Sequence, residues 1–585
     1  MPILLWPAQA GMSRAIARIS CNLRSPSPHR DRTNSLSGAW HSLFTHVTPR
    51  KAATGILAVT SSGMCIRAMA TAASSDGPAA GAPIGDGPRV CILGGGFGGL
   101  YTAVKLESLF WPRGTKPRVT LIDQADRFTF KPLLYELLSG AATADEVAPS
   151  YSQLLAPYPV TFVQGKVAAV RPEEITADGG SEGGGTVLLD SGEALPYDWL
   201  VLALGAETNT FGIPGVKEHA IAFSTYEDAM RVNTKLESLV ASPSSIYPEI
   251  VIVGGGYAGV ELAAAVSEKL RGRGRIQLIT TTEDILDRSP RGQRDAARKA
   301  LVDDGVSILT KMAVTEIKLA AAGAEEESTS KRVVYVKDAD GQTEILEADL
   351  VVWAAGQAPV PRILKKKLNL PFPADSTGAT QTDSTLKVLR NRRVFALGDV
   401  SVSDGSSPNK ENQQEEVSNG NKSSSGEKLP ATAQVAFQQA DYVAWNIWAS
   451  INQRPLLRFS YQHLGDMMSL GATKGAVTLP IPVPPPLSAA ANAGPLGELL
   501  RIAGVKVNTT FVGASDGVTL EGPLAAFVRR AAYLYRQPTD RQKLSVAASW
   551  AGQASKQAAE VARQILAGTG GVASGSGRGT KPGQK

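Results

Sequence analysis

The chain of 585 residues is longer than a single hydrophobic core allows and predicts about two to four domains. Its content of 43% hydrophobic and 19% charged residues is typical of a globular protein. The net charge of +6 comes from residues 1–70, which hold eight Lys or Arg against one acid, Asp31, so the rest of the chain gives no electrostatic case for nucleic acid binding.

Residues 1–85 are predicted to be a cleavable transit peptide. Fourteen Ser or Thr accompany the eight basic residues within the first 70 positions, and an Arg-rich, Ser-rich segment with few acids is typical of organelle targeting. The length and hydroxyl content favour the chloroplast, with the mitochondrion or both organelles as alternatives. The other interpretation is a disordered N-terminal segment without a targeting role.

The cysteine count excludes several kinds of site. Of Cys21, Cys65 and Cys91, only the last lies outside the predicted transit peptide. A single thiol excludes a disulfide framework, a cysteine-rich metal site and a redox-active cysteine pair, and we predict no metal centre. No run reaches the ~18 consecutive apolar residues of a spanning helix, so any membrane contact is expected to be peripheral.

A glycine-rich turn at 94–99 is the first motif that indicates chemistry. An apolar run over 89–93 predicts a strand that enters Gly-x-Gly-x-x-Gly, and a helix follows. In this pattern the first glycine makes a tight turn, the second admits a pyrophosphate, and the helix N-terminus attracts phosphate. The next strand ends in an acid placed to bind ribose hydroxyls. The residues of this first cradle are Gly94, Gly96, Phe97, Gly98, Gly99 and Asp123.

A second turn of the same kind starts 160 residues later and defines a second cradle. The strand that follows it ends in Thr280, where NADH-selective sites usually carry an acid. A 2′-phosphate would therefore meet the hydroxyls of residues 280–282 and Arg275, and we expect NADPH to be accepted. If the strand ends later, Glu283 restores a preference for NADH. The residues of this cradle are Gly254, Gly256, Tyr257, Gly259, Glu261 and Thr280.

Two such cradles, with Gly398-Asp399 downstream, resemble the two-dinucleotide-binding-domain flavoproteins. The resemblance implies an α/β fold with two Rossmann-like domains, FAD in the first cradle and NAD(P)H in the second. It also implies that Asp399 binds the ribityl and pyrophosphate region of FAD. Two apolar runs fit the crossover strands of the two domains, and they end in Gly205 and Gly356.

Three further segments resemble the type II NAD(P)H:quinone oxidoreductases, single-subunit enzymes that pump no protons. They are the AQxAxQQ-like run at 433–439, the run Phe128-Thr-Phe-Lys-Pro-Leu-Leu-Tyr-Glu136, and the run 459–467. The presequence and the Leu-Glu-Ser-Leu…Trp-Pro opening look most like the C-type plant and algal branch. The FAD contacts implied by this resemblance are Lys131, Pro132, Leu133, Val167, Gly205, Asp399, Ala433 and Gln434, and Gly356 is implied for NAD(P)H.

Glu261, Gln434 and Gln438 are the candidate catalytic residues. The two glutamines are four apart and share one helix face, where their amides can donate to and accept from quinone carbonyls. The resemblance places Glu261 near the flavin, where it assists proton or electron passage. The alternatives are solvent-facing glutamines and a glutamate that only stabilises a helix N-terminus. His463 is a further residue with a structural alternative.

We predict six segments in the chain. They are the transit peptide 1–85, the FAD domain 86–220 and 372–470, the inserted NAD(P)H domain 221–371, a C-terminal membrane or dimer region 471–566, and a disordered tail 567–585. Residues 401–428 are predicted to be a disordered insertion and 477–497 a second inserted loop. Within 521–537 an apolar stripe of Leu524, Phe527, Val528, Ala531 and Tyr535 lies opposite Arg529, Tyr533 and Arg536, which predicts an amphipathic helix on a membrane surface.

The predicted reaction is hydride transfer from NAD(P)H to FAD, followed by two-electron reduction of a membrane prenylquinone. The plastid members of the branch imply a plastoquinone-type acceptor or a phylloquinone precursor. Two alternatives stay open: an FAD-dependent reductase of a soluble acceptor, and a non-catalytic flavoprotein at a membrane surface. The predicted hydride transfer requires that the two cradles lie close enough for the nicotinamide and flavin rings to meet.

Overall fold

The computed structural model describes residues 87–112, 114–173, 183–241, 247–320, 331–363, 368, 370–403, 429–481, 498–500, 502–507 and 517–569. The predicted transit peptide lies outside these residues, as do 404–428 of the predicted insertion and 570–585 of the predicted tail. Ser401–Ser403, the start of the predicted insertion, form a strand that pairs in parallel with Thr380–Thr382. Helix also continues to Thr569, past the predicted start of the tail.

A five-stranded parallel sheet, here called the first sheet, carries the first cradle. Its three inner strands are short runs that are mostly apolar and buried, as parallel sheets between helices require, whereas the edge strand Val160–Gln164 is partly exposed. The final strand comes from a part of the chain about 190 residues after the fourth strand in sequence. In spatial order they are Val394–Ala396, Trp199–Leu202, Arg89–Leu93, Arg118–Asp123 and Val160–Gln164.

The second sheet repeats this architecture around the second cradle. Its five strands are also parallel, and the strand that precedes the glycine turn again lies between its crossover partner and the next strand in sequence. In spatial order they are Val306–Leu309, Arg275–Ile279, Glu249–Val253, Leu350–Trp353 and Ile221–Ala222. The two parallel sheets confirm the α/β class with two Rossmann-like units.

Helices cover the two parallel sheets and connect them. They are Phe97–Ser108, Glu136–Ser139, Ala144–Val147, Tyr151–Leu155, Val216–His219, Tyr226–Ala241, Tyr257–Leu270, Arg291–Asp303, Val360–Ile363, Ala433–Ile451, Gly522–Tyr535 and Asp540–Thr569, with 3-10 turns at Lys131–Leu133 and Gly398–Val400. One apolar core contains residues of both units, from Val90 and Leu121 to Ile252 and Leu278. The two cradles therefore belong to one packed body.

Smaller antiparallel elements complete each unit. Val167–Pro172, Gly185–Leu189 and Ala194–Tyr197 form one three-stranded sheet, and Ala313–Leu319, Arg332–Lys337 and Thr343–Ala348 form another. The strand Ala206–Thr208, which follows the first crossover strand, pairs with Gln357–Pro359, which follows the second. This pair joins the two units directly after Gly205 and Gly356.

The C-terminal region contains a sheet that the sequence analysis does not predict. Its antiparallel strands, in spatial order, are Asp466–Ser469, Gly475–Leu479, Val518–Glu521 and Val505–Val507. The start of the predicted loop at 477–497 is thus part of a strand, and the predicted boundary at 470 falls between two paired strands. Short alternating strands give a weaker signal than a proline-rich composition, which explains the difference. In the described part of the chain, no helix has the length and apolarity to cross a membrane.

Candidate functional site

In the first glycine turn, Gly94 and Gly99 are closely packed against the protein, whereas Gly96 faces open space. Gly94 has a φ of +97°, and a Cβ there would lie 2.3 Å from the Ala203 carbonyl oxygen. A Cβ on Gly99 would lie 1.8 Å from the Gly94 oxygen, so the helix can approach the strand only with glycine at this position. A Cβ on Gly96 would meet nothing within 4 Å. The turn is therefore closed towards the protein and open at the position where a pyrophosphate would approach.

Asp123 holds this turn in place. Its Oδ2 accepts from the Gly95 backbone N–H at 2.6 Å, and its Oδ1 accepts from Ala125 at 2.8 Å. Burial raises the pKa of Asp123, and the backbone hydrogen bonds from Gly95 and Ala125 act against that rise. The predicted bond from Asp123 to a ribose hydroxyl stays a prediction.

The second turn has the same geometry. Gly254 has a φ of +124°, a Cβ on Gly259 would lie 1.7 Å from the Gly254 oxygen, and a Cβ on Gly256 would meet nothing within 4 Å. The strand registers Leu93↔Ile122 and Val253↔Ile279 are also equivalent, so Thr280 takes the place that Asp123 has in the first cradle.

The end of the second cradle is uncharged because the strand stops at Ile279. The Thr280 and Thr282 hydroxyls lie 2.8 Å apart, and Thr282 donates to the Asp284 carbonyl at 2.6 Å. Glu283 is 86% exposed and forms an ion pair with Lys311 at 2.9 Å, so the alternative in which Glu283 ends the strand is not met.

Arg275 is wrongly assigned to this end of the strand by the sequence analysis. It begins the strand, roughly 13 Å from Ile279 at ~3.3 Å per residue, and it pairs with Glu249. Ligands of such sheets bind at the carboxyl ends of the strands, which Arg275 does not reach.

The segment Phe128–Glu136 packs against the first cradle. The Phe97 ring, at the start of the cradle helix, lies 5.2 Å from the Phe128 ring and 5.4 Å from the Phe130 ring in edge-on arrangements. Leu133 is fully buried, and Lys131 and Pro132 form the adjoining 3-10 turn. Surrounding protein lowers the pKa of Lys131, whereas the charges of Asp399 and Asp228 act to raise it.

The Gly398-Asp399 turn lies at the same end of the first sheet. Gly398 has a φ of +73°, and its N–H donates to the Gln439 Oε1 at 2.6 Å. Asp399 is close enough to act electrostatically on Lys131. The fold thus brings together the cradle, the Lys131 segment and Asp399, which are far apart in sequence. This role of Gln439 is not apparent from the sequence, although the residue belongs to the glutamine-rich motif.

The remaining predicted contacts lie near these two turns. Gly205 and Gly356 have positive φ values of 68° and 70° directly after the crossover strands. Val167 starts a strand two residues after Gly165, whose N–H donates to the Asp123 carbonyl at 2.8 Å. Ala433 is the first residue of the helix that carries the glutamines.

The amides of Gln434 and Gln438 bind the segment 461–465 of the protein. The Gln434 side chain donates to the Gly465 carbonyl at 3.1 Å and accepts from Tyr461 Oη at 2.7 Å and Leu464 N at 2.9 Å. Gln438 both donates to and accepts from the backbone of Gln462, at 2.9 and 3.0 Å. The two amides share one helix face, but they position the segment 461–465, so direct contact with a quinone stays a prediction.

Glu261 is a buried carboxyl in the second cradle helix. It is 7% exposed, and its Oε1 accepts from the Ser469 N–H of the C-terminal sheet at 2.8 Å. Burial raises the pKa of Glu261 to about 8, against the lowering effects of the Ser469 bond and the Arg529 charge. A carboxyl with such a pKa can hold or release a proton near neutral pH.

Two charged residues that the sequence analysis does not place at this site, Glu136 and Arg529, act electrostatically on Glu261. Glu136 is buried at the end of the Lys131 segment, and its carboxylate accepts from Arg529 at 2.5 Å and from Arg530 at 2.9 Å. Arg529 is fully buried, which contradicts its predicted place on a solvent-facing basic surface. Adjacent arginines in an otherwise apolar helix were the available signal, because buried arginine needs an acid partner.

His463 also has an acid partner. Its Nε2 lies 3.5 Å from Asp466, and this neighbour raises the pKa of His463. Across the ranges that the structure describes, no group of His, Cys, Asp and Glu is suited to a metal ion.

The chain is similar in sequence to a known protein family and to several known proteins. Residues 88–440 match the family model described as pyridine nucleotide-disulphide oxidoreductase. The alternative NAD(P)H-ubiquinone oxidoreductase C1, chloroplastic/mitochondrial, of Arabidopsis thaliana is 41% identical over 470 residues, with 79% of this chain and 80% of the relative covered. The demethylphylloquinone reductase NdbB of Synechocystis is 36% identical over 463 residues, with coverage of 79% and 95%.

Solved structures agree on the fold. NDH2 from Plasmodium falciparum in complex with NADH has a TM-score of 0.58 at 17% identity and covers 78% of this chain and 96% of its own. The sulfide:quinone oxidoreductase of Aquifex aeolicus has a TM-score of 0.53 at 19% identity, with coverage of 77% and 90%.

Proposed function

The chain belongs to the pyridine nucleotide-disulphide oxidoreductase family and, within it, to the type II NAD(P)H:quinone oxidoreductases, and from this premise we propose the roles of its residues. It is an FAD-dependent enzyme that oxidises NAD(P)H and reduces a quinone without pumping protons. The proposal depends on the two equivalent glycine turns: the first has open space only at Gly96, and the second only at Gly256. Each open place fits one pyrophosphate, so the enzyme has places for two dinucleotides.

The residues at the first cradle fit FAD. Gly96 leaves room for the pyrophosphate, the helix Phe97–Ser108 directs its N-terminus at it, and Asp399 and Lys131 supply opposite charges nearby. FAD, when bound, supplies the hydride-accepting and electron-donating chemistry. The protein orients the dinucleotides and holds protons. Asp123 would bind the ribose, and Val167, Gly205 and Ala433 would line the site.

The residues at the second cradle fit NAD(P)H, with the glycines, Tyr257 and Gly356 as contacts. Thr280 leaves the end of the strand without a negative charge, so a 2′-phosphate meets no repulsion there. We therefore propose that NADPH is accepted. In the cradle helix, Glu261 is the proposed proton carrier for the quinone.

The quinone is proposed to be a membrane prenylquinone of the plastoquinone type or a phylloquinone precursor. The reductions named in the two relatives, of ubiquinone and demethylphylloquinone, support this class. The chloroplast is the proposed location, with the mitochondrion as the alternative, in line with the plant relative's description and the basic, hydroxyl-rich N-terminal 70 residues.

The helix Gly522–Tyr535 is the proposed membrane contact. Leu524, Phe527 and Tyr535 on its apolar stripe are exposed, Phe527 to 71%, whereas Arg529 on the opposite face is buried. A helix with an exposed apolar face can lie in the interface of a bilayer, where the quinone is dissolved. The alternative is that a second copy of this chain covers the same apolar face in a homodimer.

One experiment tests the proposed function. The purified protein is treated with NADPH without oxygen, and the absorbance of FAD is followed before and after a plastoquinone analogue is added. We expect bleaching by NADPH and recovery with the quinone. Recovery with ferricyanide but with no prenylquinone would favour a soluble acceptor. Absence of bound FAD, or FAD that NADPH does not bleach, would favour a non-catalytic protein.

A further inference from the structure

The polar and charged groups around Glu261 come from four separate parts of the chain. The helix Tyr257–Leu270 contributes Glu261 itself and Tyr257, and the Lys131 segment contributes Tyr135 and Glu136. The helix Gly522–Tyr535 contributes Arg529 and Tyr533, together with Arg530, which also binds Glu136. The strand Asp466–Ser469 contributes the backbone N–H of Ser469.

Arg529 is held in this cluster by two contacts. Its Nη2 donates to the Glu136 carboxylate at 2.5 Å, and its guanidinium carbon lies 5.3 Å from the centre of the Tyr533 ring. Its Nε and Nη1 are buried and have no hydrogen-bond acceptor among the described residues. A fully buried cation with unused donors costs stability, so the fold maintains it at that cost.

We propose that Arg529, held by Glu136, is a positioning residue for quinone reduction: its charge, together with that of Glu136, controls whether Glu261 meets the quinone as an acid or as a carboxylate. The proposal rests on the proposed function. In this proposal the helix Gly522–Tyr535 has two roles, because the helix that offers its apolar face to the membrane also brings the controlling charge to Glu261.

The two charges act on Glu261 with opposite sign. Arg529 stabilises the carboxylate and lowers the pKa of Glu261, and Glu136 destabilises it and raises that pKa. A proton donor works only below its pKa, so quinone reduction should decline as the pH rises through about 8. Loss of the Arg529 charge should move this decline to higher pH, and loss of the Glu136 charge should move it to lower pH.

The test compares the pH profiles of kcat with a plastoquinone analogue for the full chain and for R529M, E136Q, R529K and the double variant E136Q/R529M. We expect the decline to move up by about one pH unit in R529M and down by about one unit in E136Q. R529K keeps the charge and should stay near the wild type, and the double variant should lie between the single variants. A role in folding alone would not move the two single variants in opposite directions.

A second readout does not depend on turnover. The carbonyl stretch of the protonated Glu261 carboxyl, identified by its absence in E261Q, is titrated by infrared spectroscopy in the full chain. Its midpoint should move in the same directions as the activity. If E136Q, the variant with the larger expected loss of stability, does not fold, the upward shift of the midpoint in R529M and the wild-type midpoint in R529K still test the proposal.

Unchanged midpoints in E136Q and R529M, or shifts of the same sign in both, would overturn the proposal. A failure of the proposed function would look different: the wild type would reduce ferricyanide with NADPH but no quinone, while the infrared midpoints would still report the effect of the two charges. The ferricyanide activity serves as the control, since its pH profile should not depend on Arg529.

Discussion

Glu136 and Arg529 are 393 positions apart in the sequence and form a fully buried ion pair with an Oε1–Nη2 distance of 2.5 Å. Glu136 ends the segment that packs on the first cradle, and Arg529 lies in the middle of the helix Gly522–Tyr535. The pair therefore connects the predicted FAD site with the helix proposed to contact the membrane. Because both partners are buried, neither can regain water when the other is removed.

This pair predicts a characteristic pattern of stability. E136Q leaves Arg529 buried without a countercharge and should lower the free energy of unfolding by about 3–5 kcal/mol. R529M should lower it by less, because Glu136 is still bound to Arg530. The double variant E136M/R529M should lose less free energy of unfolding than the sum of the losses in E136M and R529M. Thermal unfolding of the full chain with FAD gives the order. The exposed pair Lys543–Asp540 is the control, and K543A should have an effect below about 1 kcal/mol. Additive effects would contradict a coupled pair.

The two cradles can be distinguished by one substitution in each. Gly96 and Gly256 have ordinary φ values of −68° and −79°, and a Cβ there would meet no protein atom within 4 Å, so G96V and G256V should both fold. Valine would occupy the place of a pyrophosphate. We expect G96V to be purified without yellow FAD, and G256V to retain FAD that NADPH bleaches at least tenfold more slowly. Normal FAD content in G96V would refute the assignment of the first cradle.

Thr280 predicts the choice between NADPH and NADH. A carboxylate at the end of this strand would repel a 2′-phosphate and accept from ribose hydroxyls. T280D should therefore lower the ratio of kcat/KM for NADPH to that for NADH by about tenfold or more, equivalent to about 1.4 kcal/mol. T280S keeps the hydroxyl and is the matched control. A wild-type enzyme that strongly selects NADH would argue against the inference before any substitution is made.

The exposed stripe on the helix Gly522–Tyr535 predicts where the enzyme contacts the bilayer. F527E places a charge on an apolar side chain that is 71% exposed, and it should move the protein from sedimenting liposomes to the supernatant. The control is I345E, because Ile345 is 58% exposed on a strand of the second unit. Equal binding of F527E and the wild type would place the contact elsewhere. A shift in oligomeric state instead would identify the stripe as a dimer contact.

The sequence by itself determined the parts of the site that a short stretch of chain defines. A tight turn and a close helix–strand contact demand glycine at Gly94 and Gly99, so their spacing predicts the cradles, and the α/β class is confirmed with them. The amide pattern of the 433–439 run likewise predicts one helix face. It could not reveal that Gln434 and Gln438 bind backbone of the segment 461–465, because that segment returns only in the folded chain.

Only the tertiary structure decided the charge environment of Glu261 and the orientation of the helix Gly522–Tyr535. A helical pattern of apolar and basic residues divides a helix into two faces, but it does not say which face packs inward. Here the acid Glu136, brought from a distant segment, makes burial of Arg529 tolerable, so the basic face turns inward and the apolar face turns outward. Electrostatic pairing across 393 positions depends on packing in space, which no local spacing encodes.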